Sequence, residues 1–169
     1  PKHWREPEGR SGAQAWFVGQ AVAWRELSWG LRQGHLDPKR DLPRWRALGW
    51  LLHRTDFDRK MDGFGWASQE VTPAELTAAE GNARRLARQG ADGWAPQYTV
   101  RVLANLAETA ADFRSVGPAL IQASRAERLV LALDRLLAAL PADPRRTEAS
   151  SQLDRLFRLA QSIPDFSPS

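Results

Sequence analysis

The chain has 169 residues, of which 43% are hydrophobic and 26% are charged, a composition typical of a globular protein rather than a disordered one. It contains no cysteine, which excludes disulfides, thiolate-bound zinc, iron–sulfur clusters and cysteine nucleophiles. No apolar run approaches the roughly 18 residues that span a bilayer. We therefore predict a soluble, cytoplasmic protein with no membrane partner.

Charge and tryptophan are unevenly distributed along the chain. Residues 1–60 hold 12 basic and 7 acidic side chains, whereas residues 61–169 hold 12 and 13. Six of the eight tryptophans lie in the first 50 residues. We predict one helical domain over 1–169, with a basic, tryptophan-rich front (1–60) and a regular amphipathic rear (61–169). This uneven distribution of charge and tryptophan is informative about binding partners and not about the fold.

The first helix is predicted from about Gly12 to Gln33. Its apolar residues recur at spacings of seven, three and four, which places on one stripe Phe17, Trp24, Leu27 and Leu31. Gly34 can end the helix in the left-handed backbone conformation. The ends of the chain, 1–11 and 164–169, are expected to fray.

A second helix is predicted to start at a cap formed by Asp41 or Leu42, with Pro43 in its first turn. Its apolar side comprises Trp45, Leu48, Leu51 and Leu52. The stretch 55–68 contains glycines and aspartates without a sustained period, and it predicts a long ordered loop.

A third helix begins with a capping-box pattern, in which Thr72 is the cap, Pro73 the first helical residue and Glu75 able to reach back. It is predicted to stop at Gly90. Its inward residues are Leu76, Ala79, Ala83 and Leu86.

Three more helices are predicted in the rear. The fourth spans 97–114, with Val100, Leu103, Leu106, Ala110 and Phe113 inward. The fifth spans 118–140 and is interrupted if the second capping-box pattern, 124–127, is used. The sixth follows Pro144 and ends at Pro164, with Leu153, Leu156, Phe157 and Ala160 buried. No β-branched alternating run occurs, so the sequence predicts an all-α fold, a compact bundle of about six helices with no sheet.

The sequence has no pattern typical of a catalytic site. The histidines, His3, His35 and His53, lack the i, i+4 spacing of a helical metal site, and no serine lies in a nucleophile elbow. A helical metalloenzyme using His53, Asp56 and Asp58 is a third hypothesis, but the cationic neighbours oppose metal binding. We predict no enzyme activity, no metal and no cofactor.

The arginines favour RNA or single-stranded DNA as the ligand. Of the 24 basic residues 21 are arginine, which forms bidentate contacts to phosphate and stacks on bases. A GC-rich gene explains that number equally well, and a solvated helix face is the ordinary role of such clusters. The predicted nucleic-acid-binding residues are Arg84, Arg85, Arg88, Arg40, Arg44, Arg46, Arg25 and Arg32.

Four tryptophans are candidates for partner binding. Trp29 and Trp50 lie partly off the apolar stripes of their helices, and Trp66 and Trp94 lie in loops beside glycine. Each can stack on a base or anchor a protein surface, with burial in the core as the alternative.

A small, basic, all-helical chain with arginines on several helices resembles the small helical subunit of CRISPR ribonucleoprotein complexes. The resemblance is based on Arg84, Arg85 and Arg88, on the leucine-rich helix over 118–140, and on size, charge and helix content along the whole chain. In that antiviral family, copies stack along the complex and line the path of guide RNA and target strand. The resemblance implies that the arginines contact phosphate and that outer apolar surface joins neighbouring subunits, including further copies.

The second hypothesis is a helical adaptor, a protein-interaction module whose exposed tryptophans and arginines anchor a partner. These two residue types are enriched at binding hot spots. Salt separates the two hypotheses, because phosphate contacts weaken steeply as salt increases and an apolar interface does not.

Overall fold

The computed structural model describes residues 11–55, 61, 70–113, 118–140 and 145–161. Within them the chain forms α-helices and one 3₁₀ helix and no strand, which confirms the predicted all-α bundle. The α-helices are α1 (Gly12–Arg32), α2 (Pro38–Thr55), α3 (Pro73–Asp92), α4 (Pro96–Ala107), α5 (Ala119–Ala138) and α6 (Arg145–Gln161), and the 3₁₀ helix (Glu108–Phe113) follows α4 directly. Most of the predicted loop over 55–68, and nearly all of the two ends expected to fray, lie outside the described residues.

The longest helix–helix contact joins α1 and α3. It is close at Gly90, whose missing side chain makes room for the ring of Phe17: a Cβ added to Gly90 would lie 2.6 Å from Cδ1 of Phe17. Gln14 of α1 also donates hydrogen bonds to the carbonyls of Gly90 (2.9 Å) and Ala91 (3.1 Å). Gly90 therefore allows α1 and α3 to pack closely. The prediction that α3 stops at Gly90 was wrong, because the helix continues to Asp92.

In the turn between α1 and α2, the conformation predicted at the end of α1 is confirmed, whereas the predicted start of α2 is wrong. Gly34 has φ 71°, the left-handed conformation predicted for it. The predicted start of α2 at Asp41 or Leu42 was wrong, because the helix begins at Pro38. Asp37 accepts a hydrogen bond from the Lys39 amide (3.0 Å) and thus performs the capping role expected further along.

The centre of the core lies between α1 and α2. Trp24 and Trp45 are buried, with ring centroids 6.0 Å apart. Ser28 links them, because its hydroxyl accepts from Trp45 Nε1 and donates to the Trp24 carbonyl, each at 2.7 Å. The predicted apolar sides are confirmed: Phe17, Trp24, Trp45, Leu48, Leu51 and Leu52 are buried, and Leu27 and Leu31 pack against them.

The rear helices begin as predicted but end differently. The capping box of Thr72 and Glu75 is present. The fourth helix ends at Ala107 rather than at 114, where the chain tightens into the 3₁₀ helix. Because a 3₁₀ helix has three residues per turn, the helical period predicted through Ala110 fails, and that residue is exposed. Val100 of α4, which was also predicted to lie inward, is exposed as well.

The fifth helix is continuous through 124–127, so the second capping-box pattern is not used. It packs against both α2 and α6. On α6, Leu153 and Phe157 are partly buried, whereas Leu156, predicted to be buried, is exposed together with Leu159. None of the described helices combines the length and apolar character that crossing a membrane requires.

Candidate nucleic-acid interface

A groove of about 880 Å³ runs along α3, the turn after it and the first turns of α4. Arginine is its commonest charged residue: Arg84, Arg85 and Arg88 come from α3 and Arg101 from α4. Among the described residues that line the groove, Asp92 supplies the sole carboxylate. The groove is therefore strongly positive and suits an anionic ligand.

The pattern of α3 explains why these arginines share one surface. The buried residues of this helix are Leu76, Ala79, Glu80, Ala83, Leu86 and Gly90. Arg84 and Arg88 lie one helical turn apart on the opposite side and are exposed. Arg84 is weakly held, with Nη2 3.5 Å from Glu80, while Arg88 forms no ion pair within the described part of the chain.

Arg85 lies between the exposed arginines and the body of the protein. It is partly buried, and its Nη1 donates a hydrogen bond to Oε1 of Gln89 (3.0 Å), another residue that lines the groove. This contact directs the guanidinium along the groove. The predicted cluster of three arginines is thus one continuous wall of a single depression.

The other wall is aromatic. Trp94 packs against Phe17 with ring centroids 5.1 Å apart and against Tyr98 at 6.3 Å. Its indole Nε1 donates to Oγ1 of Thr99 (3.1 Å), which fixes the ring. Trp94 is partly buried and lines the groove, as does Tyr98.

Arg101 and Tyr98 were missed by the sequence reasoning. They belong to α4, whereas the arginine cluster was recognised along α3 alone. Two residues at positions 98 and 101 form no cluster by themselves. The turn after α3 places the first turns of α4 at the same groove, so the available signal was a tryptophan and a tyrosine four residues apart near arginine.

The predicted arginines of α1 lie outside this groove. Nε of Arg32 donates to Oε1 of buried Glu80 at 2.7 Å, and this hydrogen bond raises the pKa of Arg32 above its ordinary value. Arg25 bonds the neighbouring carboxylate of Glu26 at 2.7 Å. Both guanidiniums therefore already have an internal carboxylate partner.

The predicted arginines of α2 divide into two kinds. Arg40 and Arg44 are exposed, but both face Asp41, at 2.8 Å and 3.7 Å. The hydrogen bond from Arg40 holds the pKa of Asp41 below its usual range. Arg46 was wrongly assigned to the surface: it is only 5% exposed, and burial lowers its pKa.

The tryptophan predictions have mixed outcomes. Trp29 is 44% exposed and packs edge-on against His35 at 5.2 Å. Trp50 was wrong as a surface anchor, because it is 3% exposed and donates from Nε1 to Asp112 (2.8 Å). Trp66 lies outside the described residues.

Metal ligands do not converge in the part of the chain that the structure describes, where no group of three histidine, aspartate or glutamate side chains is placed to hold an ion. His53 lies near the end of α2, but Asp56 and Asp58, its partners in the metalloenzyme hypothesis, fall outside the described residues. The candidate site is therefore formed mainly by arginine and aromatic side chains.

Comparison of the chain with models of known protein families, with curated proteins and with solved structures finds no match. The resemblance to the small subunit of CRISPR complexes therefore stays a prediction.

Proposed function

We propose that this chain is a non-catalytic binding protein that holds a single-stranded segment of RNA or DNA in the groove between α3 and α4. The observation that supports this most directly is the convergence of four arginines from two helices with the partly buried rings of Trp94 and Tyr98. Arginine supplies phosphate contacts and an aromatic ring supplies base stacking, the two elements of single-strand recognition.

The phosphate-binding part of the proposal rests on the four groove arginines, and chiefly on Arg84, Arg88 and Arg101. All three are exposed and line the groove from both sides. A guanidinium binds phosphate oxygens through two parallel N–H groups, which fixes the backbone without reading its sequence. We expect the groove to bind different sequences with similar affinity.

The preference for a single strand follows from the aromatic wall. Trp94 and Tyr98 can stack only on a base that is not already stacked within a duplex. In a helical duplex the bases are enclosed, and only the backbone would reach the arginines. We expect duplex DNA to bind more weakly than either single strand.

The proposal extends to a cytoplasmic ribonucleoprotein complex in which neighbouring chains cover the apolar residues that this fold leaves exposed. Leu156 and Leu159 lie one turn apart on α6 and are both exposed. Apolar contacts of this kind join subunits, whereas the groove would remain for the nucleic acid. Further copies of this chain are candidate neighbours.

A helical adaptor is the second candidate function, and one observation favours it. Trp29 is exposed at the end of α1 on a surface distinct from the groove, and tryptophan is the residue type most enriched at protein-binding hot spots. An adaptor would bind its partner with little dependence on salt.

The decisive variant reverses the charge of the α3 cluster, Arg84→Glu, Arg85→Glu and Arg88→Glu together. Losing three charge-assisted phosphate contacts at about 1 kcal/mol each weakens binding by roughly 100-fold. Affinity is measured by fluorescence anisotropy with labelled single-stranded RNA and DNA, and helicity by circular dichroism.

A matched control changes net charge by the same amount elsewhere. Arg135→Glu, Arg155→Glu and Arg158→Glu alter exposed side chains on α5 and α6 that do not line the groove. We expect the control to lose less than about fivefold in affinity, through long-range electrostatics alone. Equal losses in both triple variants would show that the groove is not the binding site.

A further inference from the structure

A second group of arginines lies on the side of α2 that faces α5, where Arg46 is buried, Arg125 is partly buried and Arg54 keeps 38% of its side chain exposed. Arg46, Trp50 and Arg54 are four residues apart and therefore share one face of α2. Arg125 of α5 lies across from them, with its guanidinium carbon 5.7 Å from the centre of a Trp50 ring. We call Arg46, Arg54 and Arg125 the interior arginines, and none of them lines the groove.

One end of this group is neutralised from within the chain. Asp112, at the end of the 3₁₀ helix, accepts hydrogen bonds from Nε of Arg54 (2.8 Å), from its Nη2, and from Nε1 of Trp50 (2.8 Å). One carboxylate thus compensates one guanidinium. Arg54 has the partner that its position requires.

Within the part of the chain that the structure describes, no carboxylate is hydrogen-bonded to the other two guanidiniums. Arg46 is only 5% exposed, and its Nε and Nη2 are buried without a hydrogen-bond partner. Nε of Arg125 is also buried and without a partner. The Glu75 carboxylate favours the charge of Arg46 from a distance, but it forms no ion pair with it.

Such an arrangement is costly if nothing else binds there. A buried charge without a hydrogen-bonded partner destabilises a protein by several kcal/mol, and arginine cannot relieve the cost by losing its proton. Burial lowers the pKa of both Arg46 and Arg125, in keeping with that cost. The charges around Arg125 include two like ones, Arg54 and Arg46, against one opposite, Asp112.

We propose that Arg46 and Arg125 form a binding site for a phosphate group at the contact between α2 and α5. Phosphate oxygens accept several N–H donors at once, and the negative charge of a phosphate would compensate the guanidiniums of Arg46 and Arg125, to which Asp112 is not hydrogen-bonded. The phosphate belongs either to the free ion or to a small monoester. This site is independent of the groove and of its proposed ligand.

The first test measures thermal unfolding of the full chain against increasing inorganic phosphate, at constant ionic strength maintained with chloride. At a phosphate concentration tenfold above the dissociation constant, the Tm is expected to rise by roughly 3–6 °C. A second series with methyl phosphate distinguishes the sources: a rise with methyl phosphate alone assigns the site to a monoester. No rise in either series overturns the proposal.

Variants separate this site from general stabilisation by phosphate, which favours any compact protein. Arg46→Met is expected to lose the phosphate-dependent rise and, without phosphate, to unfold at or above the Tm of the wild type, because it removes an uncompensated buried charge. The control, Arg135→Met on the exposed side of α5, keeps the full rise.

Two results would contradict the proposal. An equal phosphate response in Arg46→Met and wild type shows general stabilisation only. A Tm for Arg46→Met below that of the wild type without phosphate shows that this guanidinium already has an internal partner. If Arg46→Met does not fold, Arg125→Gln, whose side chain is only partly buried, must lose the rise in its place.

Discussion

The two main helix pairs of this protein differ in where their arginines lie relative to the helix–helix contact. In the pair α1–α3, small residues such as Ala79, Ala83 and Gly90 occupy the contact, and the arginines of α3 lie outside it along the groove. In the pair α2–α5, Arg46 and Arg125 lie within the contact, around the buried ring of Trp50.

This difference teaches that the surroundings of a guanidinium, and not the density of arginine, determine what it can do. On α3 the charges remain hydrated and available to a large anion. Between α2 and α5 Arg46 is buried and Arg54 and Arg125 are partly buried, so a partner for each guanidinium contributes more to stability there. The partner of Arg54 is Asp112. Removing this carboxylate is the first test of the difference between the two helix pairs.

Asp112→Asn is expected to have the largest effect on stability. It leaves Arg54 without its carboxylate, and it raises the positive charge of the interior group. Because Arg54 and Asp112 remain 38% and 18% exposed, we expect a loss of about 2–3 kcal/mol, below the value for a fully buried pair. Urea denaturation measures it, with exposed Asp134→Asn on α5 as the control; a change below about 0.5 kcal/mol would contradict the role given to Asp112.

Gly90→Ala tests the close contact between α1 and α3. The added Cβ would lie 2.6 Å from the ring of Phe17 and 3.0 Å from Val18, so these side chains or one of the two helices must shift. We expect a loss of about 1–2 kcal/mol in urea denaturation, the usual cost of overpacking. An unchanged or increased stability would mean that α1 and α3 adjust freely.

Gly81→Ala should act in the opposite direction on the same helix. Gly81 lines the groove, and a Cβ there meets nothing within 4 Å. Since glycine inside a helix costs about 0.5–1 kcal/mol relative to alanine, the variant should be more stable by that amount. A loss of stability would show that the groove at this point is already filled.

The smallest expected effect concerns pH and the start of α2. The hydrogen bond from Arg40 lowers the pKa of Asp41, so the stability it contributes is present above the unfolded pKa and is lost as pH falls through the folded one. We expect the urea midpoint of the wild type to drop more between pH 5 and pH 3 than that of Asp41→Asn. Equal drops would assign the acid sensitivity to other carboxylates.

The same comparison explains how much could be predicted from the sequence. The core of α1, α2 and α3 and the cap at Thr72 follow from apolar spacing and local hydrogen bonding, and these predictions are confirmed. A helix with one buried face shows a clear stripe, which is why Arg84 and Arg88 could be assigned to the surface of α3.

Arg46 and Trp50 could not be assigned correctly because α2 is buried on more than one side. It packs against α1 through Trp45 and its neighbours, and also against α5. The contact with α5 buries residues that lie off the apolar stripe of α2. No pattern in the sequence of α2 predicts this second contact. Arg101 and Tyr98 were not predicted for a related reason, since their position at the groove depends on the turn between α3 and α4.

The most direct test of the account is a salt titration of binding to labelled single-stranded RNA, with the wild type and the two triple arginine variants side by side. For contacts from the four groove arginines, the logarithm of the association constant should fall with the logarithm of salt concentration with a slope of about −3. The α3 triple variant should reduce that slope by about 2, and the α5–α6 control should leave it nearly unchanged. No binding at low salt, or an affinity that salt does not alter, would contradict the proposed function and favour a protein partner instead.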